Sequence, residues 1–276
     1  MTTPLLHRIV LATDLGAETR PLLAHGLRLA LETRARLCVV HAHRGGGPAR
    51  PWDLRPLARD LLQTWRIPLG PGEGDLAGLA LSQVTAEGDD LLQALGDTAE
   101  ALGPDLLLLG SERRHGLDRL VQASTAERLA RRFSVGTLFV GQGARGLVAP
   151  DSGALSLRRV LVPVGDEVSA QDALDAALAF LAAVGVPDAQ VALHHAGDAP
   201  EDLPPVVTPP GVAVRWRWNA GAVVPAVLSE AVDMDADLVV MVTRGHDSLA
   251  DELLGSRTER VMRQAPCPVL AVPLTL

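Results

Sequence analysis

The sequence predicts an α/β protein built as two repeated domains, each a five-stranded parallel sheet with flanking helices, packed as a pseudo-dimer. Three observations carry this expectation. Short β-branched or leucine-rich runs alternate with longer helix-like segments, the pattern of βα units feeding a parallel sheet. Five such runs occur in each half of the 276-residue chain, in one order. The halves also match in detail: "RIVLATD" answers "RRVLVPV", "GPDLLLLGSE" answers "DADLVVMVTR", and "STAERLARRF" answers "SRTERVMRQA".

Taken in order, the first-half strands are expected at 8–13, 36–42, 79–84, 105–109 and 135–140. Those of the second half are expected at 159–164, 190–195, 212–218, 237–242 and 268–272. Between them, "GQGARGLVAPDSGALS" has the Gly, Ala and Ser content of an exposed linker, so the domains are set at 1–147 and 157–276. In the first half, apolar residues at helical spacing from Trp52 to Trp65 predict a crossover helix between the second and third strands. The equivalent "GDAPEDLPPVVTPPG" holds five prolines and leaves little room for one. An irregular, exposed stretch is expected there, with a sheet face that something else must cover. Trp216 and Trp218 share one face of the following strand and read as packing residues. A helix is expected at 258–264.

Composition removes several functions. A net charge of −8 opposes a surface made to hold nucleic-acid phosphates. No run approaches the 18 or so apolar residues of a membrane span, and "MTTPLLHRIVLATD" lacks the pattern of a signal peptide. Cys38 and Cys267 fall in or beside strands, which suits a reduced, cytoplasmic setting better than a disulfide framework. Cys267 reads as a small buried apolar residue. Every basic side chain is an arginine, so a Walker-type phosphate loop, which needs lysine, is excluded. No Gly-x-Ser-x-Gly elbow or paired-cysteine motif is present either. His41 and His43 alternate along a strand, but without neighbouring Cys or carboxylate ligands they do not make a metal site.

In a doubly wound sheet, ligands bind beyond the carboxyl ends of the strands where strand order reverses. The informative residues therefore follow the first and fourth strands of each half. After the first come Asp14 and Gly165-Asp166; after the fourth come "GSERRHGLDRLVQASTAER" and "VTRGHDSLADELLGSRTER". Glycines admit a close anion, and backbone N–H groups at a helix start, with a serine hydroxyl, donate to phosphate oxygens. Gly255-Ser256 before a helix suits that role, although Ser256 and Ser124 read equally as plain N-caps and Gly255 as a turn residue.

With these residues the chain resembles the tandem universal stress proteins over nearly its whole length, most specifically at "GSRTERVMRQAPCPVLAVP". The family's nucleotide signature is Gly, two residues, Gly, nine residues, then Gly followed by Ser or Thr, with an Asp after the first strand contacting the adenosine. By this resemblance the first half keeps Asp14, Gly110 and Ser124 but has Arg113 and Ala123 at the second and third glycines. The second keeps Gly245, Gly255 and Ser256, with Arg257 next, but has Val242 and Gly165 at the first glycine and the acid. His195 falls where the family has a residue against the adenine. Arg113 is either a charged phosphate donor or a plug in the pocket.

The resemblance implies an ATP-binding protein with two degenerate sites, Mg entering only with ATP, that senses or regulates through occupancy. An interaction module with decayed sites is the alternative, and any ATP hydrolysis is weak because the sequence positions no general base. The resemblance also implies pairing of 269–272 with 138–140, which hides two strand edges, and association with further copies or an unidentified protein partner.

Overall fold

The computed structural model describes residues 6–43, 51–71, 75–111, 135–165, 168–186, 188–198, 203–244 and 256–274. The chain forms two compact units. One comprises Leu5–Gly110 with Val148–Ser156, the other Ser111–Leu147 with Leu157–Leu276.

The first unit contains β1 (Arg8–Thr13), α1 (Thr19–Thr33), β2 (Arg36–His43), α2 (Arg55–Thr64), β3 (Leu81–Glu87), α3 (Leu91–Leu102) and β4 (Leu106–Ser111). Its strands lie in the order β3-β2-β1-β4, all parallel. Ile9 to Leu11 and Leu106 to Leu109 are buried, as expected for strands covered on both faces, which is why they read as unbroken apolar runs. Local chemistry sets the helix ends. Pro56 sits in the first turn of α2, where its missing N–H costs nothing. Asp90 caps α3 by accepting from Leu92 N and Gln93 N, and Gly103 closes that helix in the left-handed conformation.

β3 starts two residues later than the sequence suggests. Ala77 and Gly78 both take positive φ and make a turn, with Leu79 N donating to Leu76 O, so pairing begins only where Leu37 meets Leu81. α2 is likewise shorter than the apolar spacing implied. Trp52 lies outside it and donates its indole N–H to Thr85 Oγ1 at 2.8 Å.

The second unit contains β5 (Gly136–Gly141), β6 (Arg159–Pro163), α4 (Ala170–Val184), β7 (Gln190–Ala196), β8 (Ala213–Asn219), α5 (Val223–Asp233), β9 (Leu238–Arg244), α6 (Ser256–Gln264) and β10 (Val269–Leu274). The order is β5-β10-β9-β6-β7-β8; β10, β9, β6, β7 and β8 are parallel and β5 runs antiparallel to β10. Val269 faces Phe139, Leu270 faces Leu138 and Ala271 faces Thr137, so the two strands expected to pair do pair, and all six residues are buried. Described residues 203–212 form no helix, and most are exposed. Cys38 and Cys267 are buried free thiols, and burial pushes the Cys267 thiol up to about 12.

One device is used twice. Asp105 Oδ2 accepts from His7 N and Arg8 N at the start of β1, and Asp237 Oδ2 accepts from Arg158 N and Arg159 N at the start of β6. A carboxylate ahead of the fourth strand of each repeat thereby holds the backbone of the first. The repeated "PDL" and "ADL" of the sequence carry it.

The connecting stretch is not the loose exposed linker its composition suggested. Leu147 and Val148 are buried, and Val148 bridges Leu155. In the first unit, Val148 N donates to His25 Nε2 at 3.3 Å, and Trp65 Nε1 donates to Pro150 O at 2.9 Å. Gly153, at φ 68°, lies so close to the Trp65 indole that a Cβ there would stand 2.5 Å from its Cδ2. This glycine serves close approach, not flexibility. In the second unit, Arg145 donates to Asp235 Oδ1 at 2.6 Å and to Asp237 Oδ1 at 3.1 Å.

Candidate functional site

Strand order reverses beside β1 in the first unit and beside β6 in the second, so each has a crevice position at the carboxyl ends of two adjacent parallel strands. The registers equate the halves residue by residue. Arg8 pairs with Arg36 as Arg159 does with Gln190, Ile9 with Leu106 as Val160 does with Leu238, and Leu37 with Leu81 as Val191 does with Val214. Asp14 therefore corresponds to Gly165, Gly110 to Val242, and His41 to His195. Gln83 corresponds to Trp216 and Thr85 to Trp218.

In the first unit, Asp14 follows β1 and Gly110 belongs to the end of β4, on neighbouring strands. Asp14 is exposed and its Oδ1 accepts from Gly16 N at 2.7 Å. Leu15, at φ 61°, turns the chain there, and Thr13 Oγ1 accepts from Leu15 N at 3.1 Å and contacts Thr19 Oγ1 at 2.8 Å. These bonds fix the turn from β1 into α1 and so fix the carboxylate. His41 Nδ1–H donates to Thr13 O at 3.0 Å, and its ring meets Trp52 edge-on at 5.7 Å. A Cβ on Gly110 would touch only Leu22 Cδ2, at 3.7 Å, so packing among the described residues does not demand a glycine.

In the second unit, Val164 N donates to His194 O at 2.8 Å and Gly165 follows with open space where a Cβ would point. Val242 is half-buried on β9. His195 is half-buried near the end of β7, paired in register with Trp218. Its neighbour His194 faces the opposite side of the sheet, buried, with Nε2–H donating to Asn219 Oδ1 at 2.9 Å; desolvation lowers its pKa. α6 begins at Ser256, Arg257 is exposed in its first turn, and Thr258 is buried. Gly245 and Gly255 of the second half, and Arg113 and Ser124 of the first, lie outside the described residues. Of the expected site residues, then, the structure puts Asp14 and Gly110 at the ends of adjacent strands, and describes His195, Ser256 and Arg257 singly.

Sequence reasoning missed Thr13, Thr19 and Trp52. Thr13 and Thr19 bracket the turn after β1, a spacing that signals a hydroxyl-fixed turn. Trp52 is hidden from such reasoning because the apolar spacing places it in the helix, whereas α2 starts at Arg55.

The two reversal points define a repeated doubly wound α/β protein with a crevice position at parallel strand ends in each unit. The chain belongs to the universal stress protein family, whose profile matches residues 6–141 and 205–273. A universal stress protein of Thermus aquaticus is 47% identical over 47 residues, 17% of this chain and 34% of that protein. Another, from Methanocaldococcus jannaschii, is 40% identical over 62 residues, 22% of this chain and 36% of that one. The matched stretches thus span only about a third of these curated relatives. Two solved structures share the fold across nearly the full length. A universal stress protein from Archaeoglobus fulgidus has a TM-score of 0.63 at 17% identity, covering 96% of both chains. A second, from Pseudomonas aeruginosa, has a TM-score of 0.63 at 15% identity, covering 97% of this chain and 93% of that one.

Proposed function

We propose that the protein is a cytoplasmic stress-response regulator that binds an adenine nucleotide, ATP, in at least one of its two degenerate sites and acts through occupancy, not turnover. The observation that carries this reading is found at the strand-order reversal, where Asp14, a fixed, exposed carboxylate, follows β1 and Gly110, a glycine that the described packing does not require, lies at the end of the adjacent β4. A carboxylate there suits ribose hydroxyls, which donate charge-assisted hydrogen bonds. In the second half, the start of α6 at Ser256 offers N–H groups and a favourable dipole to phosphate oxygens, and the resemblance puts two signature glycines, Gly245 and Gly255, ahead of it in the sequence. The second half is preferred for triphosphate contact, because Ala123 removes room where the first half needs close approach. Mg would accompany ATP. No described helix is long and apolar enough to cross a membrane.

The test is titration of the purified full chain with Mg-ATP by calorimetry, together with mass spectrometry of any small molecule that co-purifies. Gly255→Val abolishes binding on this reading, while Ala123→Gly leaves it unchanged. Loss of binding on Asp14→Ala alone moves the ligand to the first half. The absence both of heat and of co-purified nucleotide favours the rival reading, an interaction module whose sites have decayed. Gly165 and Val242, standing where the first half has Asp14 and Gly110, are the observation behind that rival.

A further inference from the structure

The outer edge of β8 is unlike its counterpart in the first half. There, Gln83 and Thr85 of β3 hold the segment leading into α2: Gln83 Oε1 accepts from Leu54 N, Gln83 Nε2 donates to Asp53 Oδ1, and Thr85 accepts the Trp52 indole N–H. The equivalent positions on β8 are Trp216 and Trp218, and described residues 203–212 supply no helix to cover them. The segment is held instead to the first turn of α4, where the Gln171 amide bonds both Val207 N and Val207 O. The expectation that both tryptophans pack is therefore corrected: Trp216 is only half-buried and Trp218 is 45% exposed. Of the four exposed large apolar residues among those described, three, Leu203, Val207 and Trp218, belong to this segment and strand.

Among the described residues β8 is also the last strand of its sheet, so alternate backbone N–H and C=O groups along it face outward. Its side chains alternate by face. Trp216 and Trp218 lie on one side; Arg215 and Arg217 lie on the other, with Arg217 Nε on Glu230 Oε1 at 2.6 Å. Arg215 is exposed and makes no ion pair among the described residues. In a chain of net charge −8, residues 203–219 contain two arginines and no acidic residue. Antiparallel pairing of a second copy about Trp216 would set Arg215 opposite Arg217, a cation already paired with Glu230, and so would give Arg215 no carboxylate.

We propose that β8 is a docking strand for an extended segment of another protein in which acidic and apolar residues alternate, added at the sheet edge with its acids on the Arg215 side and its apolar residues on the Trp218 side. Main-chain bonds supply the strand addition, and the two faces supply the selectivity.

The test uses the full-length protein and a fluorescein-labelled peptide alternating Glu and Val, followed by anisotropy and by intrinsic tryptophan emission. Binding with a blue shift is expected. Arg215→Glu, an exposed substitution, should weaken it by roughly ten-fold, and the same variant should gain affinity for a peptide with Lys in place of Glu. Trp218→Ser should weaken binding and remove most of the blue shift. Equal binding of the Glu and Lys peptides to the unaltered protein, or of a scrambled Glu peptide, overturns the proposal. So does a Trp218→Ser variant that turns a dimer into a monomer on gel filtration, because the occupant is then a second copy. Circular dichroism of each variant checks that the fold is kept.

Discussion

His25 offers a quantitative test of the packing between α1 and the connecting stretch. Its ring is buried on α1, with Nδ1–H donating to Pro21 O at 2.7 Å and Nε2 accepting from Val148 N. Both nitrogens are committed to the neutral form, and burial lowers the pKa from 6.5 to about 4. Between these values the unfolded chain binds a proton that the folded unit refuses, so acid favours opening. The stabilisation is complete above about pH 6.5, declines as pH falls, and is lost near pH 4. A difference of that size corresponds to about 3 kcal/mol. His25→Gln keeps a donor and an acceptor but does not titrate. The chain has two compact units, so the readout must be local. Hydrogen exchange of the Val148 amide and of α1, corrected for intrinsic rates, meets that need. The opening free energy of the parent should fall relative to His25→Gln by about 3 kcal/mol between pH 7 and pH 4. Parallel pH curves for the two proteins would refute the reasoning.

Other substitutions probe separate features. Asp237→Asn removes a buried carboxylate that holds two backbone N–H groups and faces Arg145 and Arg159; denaturant unfolding of the second unit should show a loss of about 3 kcal/mol. Asp105→Asn, at a more exposed copy of the device, should cost about 1 kcal/mol. Gly153→Ala adds a Cβ against the Trp65 indole at a positive φ, and thermal unfolding should report a loss of more than about 2 kcal/mol. Gly165→Asp restores the acid of the second half in open space, and calorimetry should show ATP binding roughly ten-fold tighter; an unchanged affinity would place the ligand elsewhere.

The repeat was legible because burial on both faces writes parallel strands as apolar runs, and strand register makes the same residues correspond in space. The correspondence of Asp14 with Gly165 and of Gly110 with Val242 could be read from motif spacing before any register was known. The start of β3 could not, because it depends on two consecutive positive φ angles at Ala77 and Gly78, and alanine gives no warning of one. The connecting stretch was misread for a related reason. Its glycine content suggested freedom, whereas Gly153 is glycine because an indole occupies the space of its side chain. The tryptophans of β8 read as packing residues because aromatic residues on a strand ordinarily pack; what they lack among the described residues is a crossover helix to pack against. The placement of Asp14 and Gly110 at the ends of adjacent strands was legible from their spacing, whereas Gly245 and Gly255, expected to cradle phosphate, lie outside the described residues.

The antiparallel junction of β5 with β10 bears on how such a chain could be taken apart. Cutting the gene between the repeats would leave Leu138-Phe139 on one fragment and Val269-Leu270 on the other as bare, apolar strand edges. Fragments of that kind should not behave as independent monomers. Co-expressed, they should find one another and reassemble; expressed alone, each should pair with its own kind or precipitate. The fusion of two repeats into one polypeptide thus sets the stoichiometry of that seam at one to one, which lets the two halves differ in sequence without either having to match itself.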